Sequence, residues 1–415
     1  MENISSVPDW LDKGFLESVI GNEVSGSNIV VTKYDARPAV PKGDHFSSCL
    51  LRVKVKYCFK DVDHIDSTGS SSFIVKSLPT AKIMIHLLTE TGIFQRETDV
   101  YLQALPAMYR LSEQLNGSKA HHLTCRCIHS EPDILVLEDL RVLGYEMADR
   151  RKGLDLSHCQ MALRSLARFH GMSVALHKKD PKSMSSFSEV FYKEKNHPII
   201  SSYMEPAIRR LASAIANWPG YERFEDKLRD LAETSFIKIT EVARPKDGSL
   251  SVLNHGDFWT NNIMFRYSSD RDEVLDVKFV DFQISRFTSP ALDLQYFMYT
   301  SPNEEVRFEH TDDLLNAYHV ELRETLHILG CSDVEFTFQQ LRKDFEDKAV
   351  FGLITSCTLL NLILADPEDA VDLEHLTLED MRAVEDNPME NGFSGSLYRE
   401  TFQNILLHFE SKGLL

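Results

Sequence analysis

The sequence has 415 residues, more than one hydrophobic core usually serves, so two lobes are expected and a minimal binding module is excluded. A hydrophobic share of 43% beside a charged share of 26% excludes a disordered chain. A formal charge of −18 repels nucleic acid and anionic membrane surfaces, so any nucleotide must be held by local Lys or Arg or by a divalent metal.

In chain order, the N-terminus has neither a basic start nor a continuous apolar run, which argues against a secretory signal. Trp10, Leu11, Phe15 and Val19 fall at helical spacing instead. Ile29 to Tyr34, Ser48 to Phe59 and Ser72 to Leu78 are rich in Val, Ile, Phe and Tyr and read as antiparallel strands. A helix is expected over 93–105, with Phe94, Tyr101 and Leu105 on one face and Pro106 closing it. Thr124 to Ile128 and Asp133 to Leu137 complete a five-stranded sheet with one main helix against it.

From Asp155 the pattern becomes helical, over 155–176, 202–217, 222–242, 310–329, 338–364 and 396–412. A β-rich patch between Leu250 and Phe282 interrupts it. The apolar stretch Val350 to Ala365 carries Thr355, Ser356, Thr358 and Asn361 and is shorter than the roughly 20 residues a bilayer needs, so it reads as a buried helix. The expected fold is α+β: an N-terminal lobe over 1–140 and a larger, mainly helical lobe over 141–415, joined near Glu138 to Tyr145. Seven scattered cysteines suit a reducing, cytoplasmic setting.

The chemistry concentrates in the β-rich patch. Ile263 to Tyr267 and Val274 to Val280 flank the polar turn Ser268 to Glu273 and form a hairpin by pattern, which puts Asn262 opposite about Phe279 and within two positions of Asp281. Directly opposed residues lie about 5 Å apart, so the Asn262 amide oxygen and the Asp281 carboxylate can share one divalent cation. Five residues before Asn262, Asp257 in His255-Gly256-Asp257 can accept a hydroxyl proton. One proton acceptor and two metal-holding groups are the parts of a kinase phosphoryl-transfer site.

HGDFWTNNIMF with VDFQ resembles the ecdysteroid kinase-like family, a branch of the aminoglycoside phosphotransferase and choline kinase superfamily with a protein-kinase-like fold. LVLEDL with GYEMADRRKGLD, SLARFHGMS and PALDLQYFMYTS resemble further segments of that family, and Trp259 is a more specific mark of this branch than Asp257 itself. The resemblance implies that Lys76 of FIVKSL grips the α- and β-phosphates and pairs with Glu97, which lies within the apolar stripe of its helix. It implies that Asp293 braces the catalytic loop, where a helix N-cap is the plain reading, and that His255 serves packing. Adenine would bond backbone groups near Glu138, Asp139 and Leu140. The phosphate-covering segment Pro41 to His45 has one glycine, Gly43, with Ser47 and Ser48 offering hydroxyls, and Gln283 replaces the glycine of D-F-G. No Lys or Arg follows Asp257 by two residues, which leaves more of the γ-phosphate charge to metal.

His121, His122, Cys125, Cys127 and His129 cluster like zinc ligands but alternate as a strand does, and Gly392 to Ser396 misses a nucleophile elbow at its last position. The expected activity is ATP- and Mg²⁺-dependent phosphoryl transfer to a hydroxyl of an ecdysteroid or another lipophilic alcohol. A choline- or aminoglycoside-type kinase and a catalytically silent nucleotide-binding scaffold are the alternatives. The expected partner is a small hydroxylated molecule, with no nucleic acid, no membrane insertion and no obligate protein partner.

Overall fold

The computed structural model describes residues 7–25, 27–40, 48–60, 66–79, 82–188, 192–246, 248–366, 383 and 392–415. Three long strands, β1 (Ser27–Pro38), β2 (Cys49–Lys60) and β3 (Asp66–Ser77), and the hairpin of β4 (Cys127–Glu131) and β5 (Ile134–Glu138) form one antiparallel sheet in the order β1-β2-β3-β5-β4. β3 begins before the expected Ser72 and takes in the serine-rich stretch, because residues 66–71 complete the ladder to β2. β4 begins at Cys127, not at Thr124, which instead bridges to Phe279 of the other lobe.

Alternation decides what each sheet face meets. Leu51, Val53 and Val55 of β2 and Phe73 and Val75 of β3 pack with Leu16, Val19 and Ile20 of helix α1 (Lys13–Glu23) in a small separate core. Burying each such side chain contributes about 1.5–3 kcal/mol. The opposite face carries Leu50, Arg52, Ile74 and Lys76 and looks into the cleft between the lobes. The sheet therefore has helices on both sides rather than one.

The helix against the cleft face does not stop at Pro106. α3 (Ile93–Asp99) passes through one π turn (Val100–Ala104) into α4 (Leu105–Asn116), after the short α2 (Lys82–Thr91). Proline lacks an N–H and clashes with the carbonyl four residues back. The widened turn, in which the Leu105 N–H reaches Val100 O, lets the chain continue through it.

In the larger lobe, α5 (Leu156–Lys179) runs through the core and packs against α10 (Thr311–Ile328), while α6 (His197–Ile215) pairs with α7 (Glu225–Ala243). α8 (Ala291–Thr300) and α9 (Glu304–Glu309) precede α10. The expected 338–364 helix is two helices, α11 (Phe338–Asp347) and α12 (Ala349–Ile363), broken at Lys348. Its ammonium is buried against Asp344, a contact that an unbroken amphipathic pattern did not foretell. Among the described residues no helix is long and apolar enough to cross a membrane, α12 included. Strand β6 (Tyr145–Met147) pairs with the hairpin β8 (Ile263–Tyr267) and β9 (Val274–Phe279), and β7 (Val252–Asn254) pairs with β10 (Arg286–Thr288).

Candidate active site

The hairpin register is Ile263 to Phe279, one step from the expected pairing, because a bulge lies between Arg266 and Tyr267. Asn262 therefore faces Val280, whose N–H donates to Asn262 O over 3.0 Å, and Asp281 is the next residue. Asp281 has φ 69°, a left-handed conformation that ends the strand at a cost of about 1–2 kcal/mol. Its carboxylate lines the cleft with Asn262.

From the sheet above, Lys76 Nζ lies 2.6 Å from Glu97 Oε2 and 3.0 Å from Asp281 Oδ1, and all three side chains are buried. Burial favours the neutral amine, but the two carboxylates outweigh it and hold the Lys76 pKa above its ordinary value. Burial pushes Glu97 up to about 7, with Lys76 pulling the other way and Asp281 adding to the rise.

Asn262 connects this group to Asp257. Its Nδ2 donates to Asp257 O over 2.8 Å and to Asp257 Oδ2 over 2.9 Å, which leaves the amide oxygen as the group to offer a cation. The other Asp257 oxygen accepts the Tyr296 hydroxyl over 2.5 Å. Burial raises the Asp257 carboxyl to about 6 and Asp281 adds to it, against the hydrogen bonds from Tyr296, Asn262 and Trp259.

The cleft, which opens to solvent, is lined by Lys76, Glu97, Asn262 and Asp281 and by the interlobe residues Glu138, Asp139 and Leu140. The side chains of Glu138 and Asp139 are engaged elsewhere, Glu138 on Arg126 and Asp139 on Arg52 and Ser72. The apolar part of the lining is Ile74 from the sheet and Met147, Met264 and Val280 from the other lobe. Gly43 and Ser47 lie outside the described residues, and Ser48 stands just before β2, apart from the cleft lining.

The fit to a metal follows from charge and donor type. One buried ammonium, Lys76, faces two buried carboxylates, Glu97 and Asp281, and the half-buried Asp257 is joined to them through Asn262, so the group is short of positive charge. The oxygens of Asp281 and Asn262 are hard donors that suit Mg²⁺ rather than a thiophilic ion.

The sequence matches the Ecdysteroid kinase-like family over residues 42–331, a span that contains every one of these side chains. The chain belongs to the ecdysteroid kinase-like family. It is a phosphotransferase, with an antiparallel N-terminal lobe and a mainly helical C-terminal lobe in the protein-kinase-like arrangement. No curated protein matches it. Among solved structures it is similar to Plasmodium vivax ethanolamine kinase, at 11% identity over 89% of this chain and 84% of that one, with a TM-score of 0.41. The gentamicin complex of APH(2")-IIa matches at 13% identity over 85% and 98%, TM-score 0.33. A glucosamine kinase complex with glucosamine, ADP and inorganic phosphate matches at 11% over 86% and 99%, TM-score 0.30.

In this ecdysteroid kinase-like chain, a second group of residues holds the HGD loop. Asp293 is not the N-cap of α8, a place taken by Pro290; it lies in the first turn, and its carboxylate accepts the N–H groups of His255 (2.6 Å) and Gly256 (2.9 Å). His170 of α5 stands between Asp293 (3.1 Å) and the Tyr318 hydroxyl (2.7 Å). His255 Nδ1 accepts the Asp257 N–H and Nε2 faces Val280 O at 3.0 Å, which fixes the Nε2–H tautomer. Burial holds His255 below its usual pKa, and its ring packs on Phe282. Gly256 has φ 92°, and a Cβ there would sit 2.1 Å from Ile284 O, so only glycine fits between His255 and Asp257.

Tyr296, His170 and Arg286 escaped the reading of the sequence. Tyr296 lies one helical turn beyond Asp293, a signal hidden because all ten residues of α8 are buried and give no polar stripe. The five His and Cys residues over 121–129 diverge: His121 meets Asp276, His122 stacks on Tyr109, Cys125 meets Tyr101, Cys127 bonds His129 O and His129 meets Glu131.

Proposed function

We propose that the chain is an ATP- and Mg²⁺-dependent small-molecule kinase that transfers the γ-phosphoryl group to an alcohol hydroxyl of an ecdysteroid or another lipophilic alcohol. The observation that carries this reading is the shortage of positive charge among Lys76, Glu97 and Asp281, with Asp257 beside them, on the wall of the cleft between the lobes. Mg²⁺ bound by Asn262 and Asp281 would neutralise phosphate charge and favour the leaving group.

The chain's own residues do the rest. Lys76, held by Glu97, grips the α- and β-phosphates, and backbone groups of Glu138 to Leu140 bond the base. Asp257 orients the acceptor hydroxyl and takes its proton as the bond from oxygen to phosphorus forms and the bond from the γ-phosphorus to the bridging oxygen breaks, releasing ADP. Asp293, through the His255 and Gly256 amides, holds Asp257 in place, and Tyr296 fixes the rotation of its carboxylate. Gly43 and Ser47, in the segment before β2, are the candidates to cover the phosphates, a role Ser48 does not share because it stands apart from the cleft lining. Residues 1–140 form the nucleotide-binding lobe and 141–415 the catalytic and acceptor-binding lobe. The protein works in the cytoplasm and needs no protein partner.

The test is ATP turnover by the full chain with ecdysteroids, sterols, plant phenolics and choline, read as the mass gain of one phosphate. Asp257→Ala is expected to lower transfer about a thousandfold while Mg²⁺·ATP still binds. Full transfer by that variant would overturn the mechanism, and the silent-scaffold alternative predicts no turnover by either protein.

A further inference from the structure

Arg286 lies on β10 opposite Asn254, three residues before Asp257, and its side chain is fully buried. Among the described residues its Nε, Nη1 and Nη2 make no hydrogen bond of good geometry, although the Tyr192 hydroxyl lies close enough to interact with the guanidinium. The guanidinium carbon sits 5.2 Å from the centre of the Phe351 ring and 5.4 Å from that of Tyr192, two rings that meet edge to face at 6.1 Å. The Phe351 ring in turn lies 6.4 Å from Tyr296, whose hydroxyl bonds Asp257. A buried cation therefore stands two rings, Phe351 and Tyr296, away from the proposed base. Tyr192 feels both charges: burial raises its pKa, Arg286 lowers it and Asp257 raises it.

The fold satisfies a structural arginine when it needs one. Arg307, similarly buried, donates to Met298 O over 3.1 Å and to Pro302 O over 2.6 Å. Among the described residues no carbonyl accepts from Arg286 in this way. Ring faces attract a guanidinium but accept none of its five N–H bonds in the ring plane, so among the described residues most of its donors remain available for an oxygen brought by a ligand. The same two rings would otherwise make a cage for an ammonium group beside Asp257, the device that recognises quaternary amines. Here the protein's own cation fills it.

We propose that Arg286 recognises the acceptor: its guanidinium donates to a second oxygen function of an uncharged or anionic hydroxylated molecule and excludes acceptors that carry an ammonium group at that end. This rests on the reading of Asp257 as the group that receives the acceptor hydroxyl. It narrows the choice among acceptors, disfavouring choline and aminoglycosides and favouring oxygen-rich neutral or acidic alcohols.

The experiment compares wild type, Arg286→Met and Arg286→Lys with 20-hydroxyecdysone as the neutral ketosteroid probe, cholate as the carboxylated one, and choline and kanamycin as the cationic ones. Phosphate transfer is followed by mass, and acceptor binding by calorimetry. Wild type is expected to phosphorylate 20-hydroxyecdysone or cholate at least tenfold more efficiently than either cation. Arg286→Met is expected to raise the acceptor KM and Kd at least tenfold with kcat changed less than threefold, and Arg286→Lys to recover part of the loss. Preference for 20-hydroxyecdysone marks the second oxygen as a neutral hydroxyl or carbonyl, and preference for cholate marks it as a carboxylate. Efficient transfer to choline or kanamycin by wild type would overturn the proposal while leaving the kinase reading intact. So would an acceptor KM within twofold of wild type in an Arg286→Met protein that still binds ATP. Transfer to none of the four probes would overturn both readings.

Discussion

Tyr296 and Asp293 lie one turn apart on α8 and act on neighbouring residues of one loop, Asp293 on the amides of His255 and Gly256 and Tyr296 on the carboxylate of Asp257. A single rigid helix thereby sets both the path of the loop and the rotation of its key side chain. Tyr296→Phe removes only the second effect. A hydrogen bond to a charged group contributes about 1.5–3 kcal/mol, so kcat should fall about tenfold to a hundredfold with the KM for ATP unchanged. Steady-state kinetics with saturating acceptor checks this, and a rise in the ATP KM instead would place Tyr296 outside the transfer step.

Glu97→Gln leaves Lys76 with Asp281 as its remaining charged partner. Freed from one of its two anchors, the ammonium moves with Asp281 and loses its fixed position for phosphate. Affinity for a fluorescent ATP analogue should fall about tenfold to a hundredfold. Unchanged affinity would show that Asp281 alone positions Lys76.

Two glycines with positive φ give a matched pair. A Cβ at Gly256 would meet Ile284 O at 2.1 Å, whereas one at Gly248, φ 75°, meets nothing within 4 Å. Gly248→Ala should cost about 1 kcal/mol from its backbone conformation alone. Gly256→Ala must displace the loop that carries Asp257 and should lower transfer by more than about a hundredfold. Denaturant unfolding and kinetics on both variants make the check, and near-normal transfer by Gly256→Ala would contradict the packing described.

His408 supplies a dependence on pH outside the cleft. Burial pulls its pKa from 6.5 to about 4, with Lys412 and Arg307 adding to the fall and Glu346 opposing it, while the Tyr299 hydroxyl meets its Nε2 at 2.8 Å. The folded value is depressed, so between about 6.5 and 4 the unfolded chain binds the proton that the fold refuses. The stabilisation from neutral His408 is present above pH 6.5 and is lost as pH falls through that window, by roughly 2 kcal/mol once partial exposure is allowed for. His408→Gln should flatten that part of the stability profile, and urea unfolding at pH 7 and pH 4 compares the two proteins.

Much of this was legible in the residues themselves. The period-two runs of the N-terminal sheet, the long apolar α12 and the spacing of Asp257, Asn262 and Asp281 follow from local chemistry. The hairpin register slipped by one because a bulge at Arg266 leaves no mark on hydrophobic alternation. Pro106 misled because its ordinary effect, ending a helix, was absorbed by a π turn that no propensity encodes. Tyr296 and Arg286 stayed hidden because their neighbours are all buried, so their meaning lies in contacts between segments far apart in the chain.

The continuous helix from Ile93 to Asn116 bears on control. Arg96 bonds Ser285 O over 2.9 Å, Tyr101 meets Phe282 edge to face at 5.5 Å, and α4 packs on α5 of the other lobe. A helix anchored at these points carries Glu97 against Lys76, so the ion pair that signalling kinases break by moving the corresponding helix stands assembled here, pinned to both lobes at once.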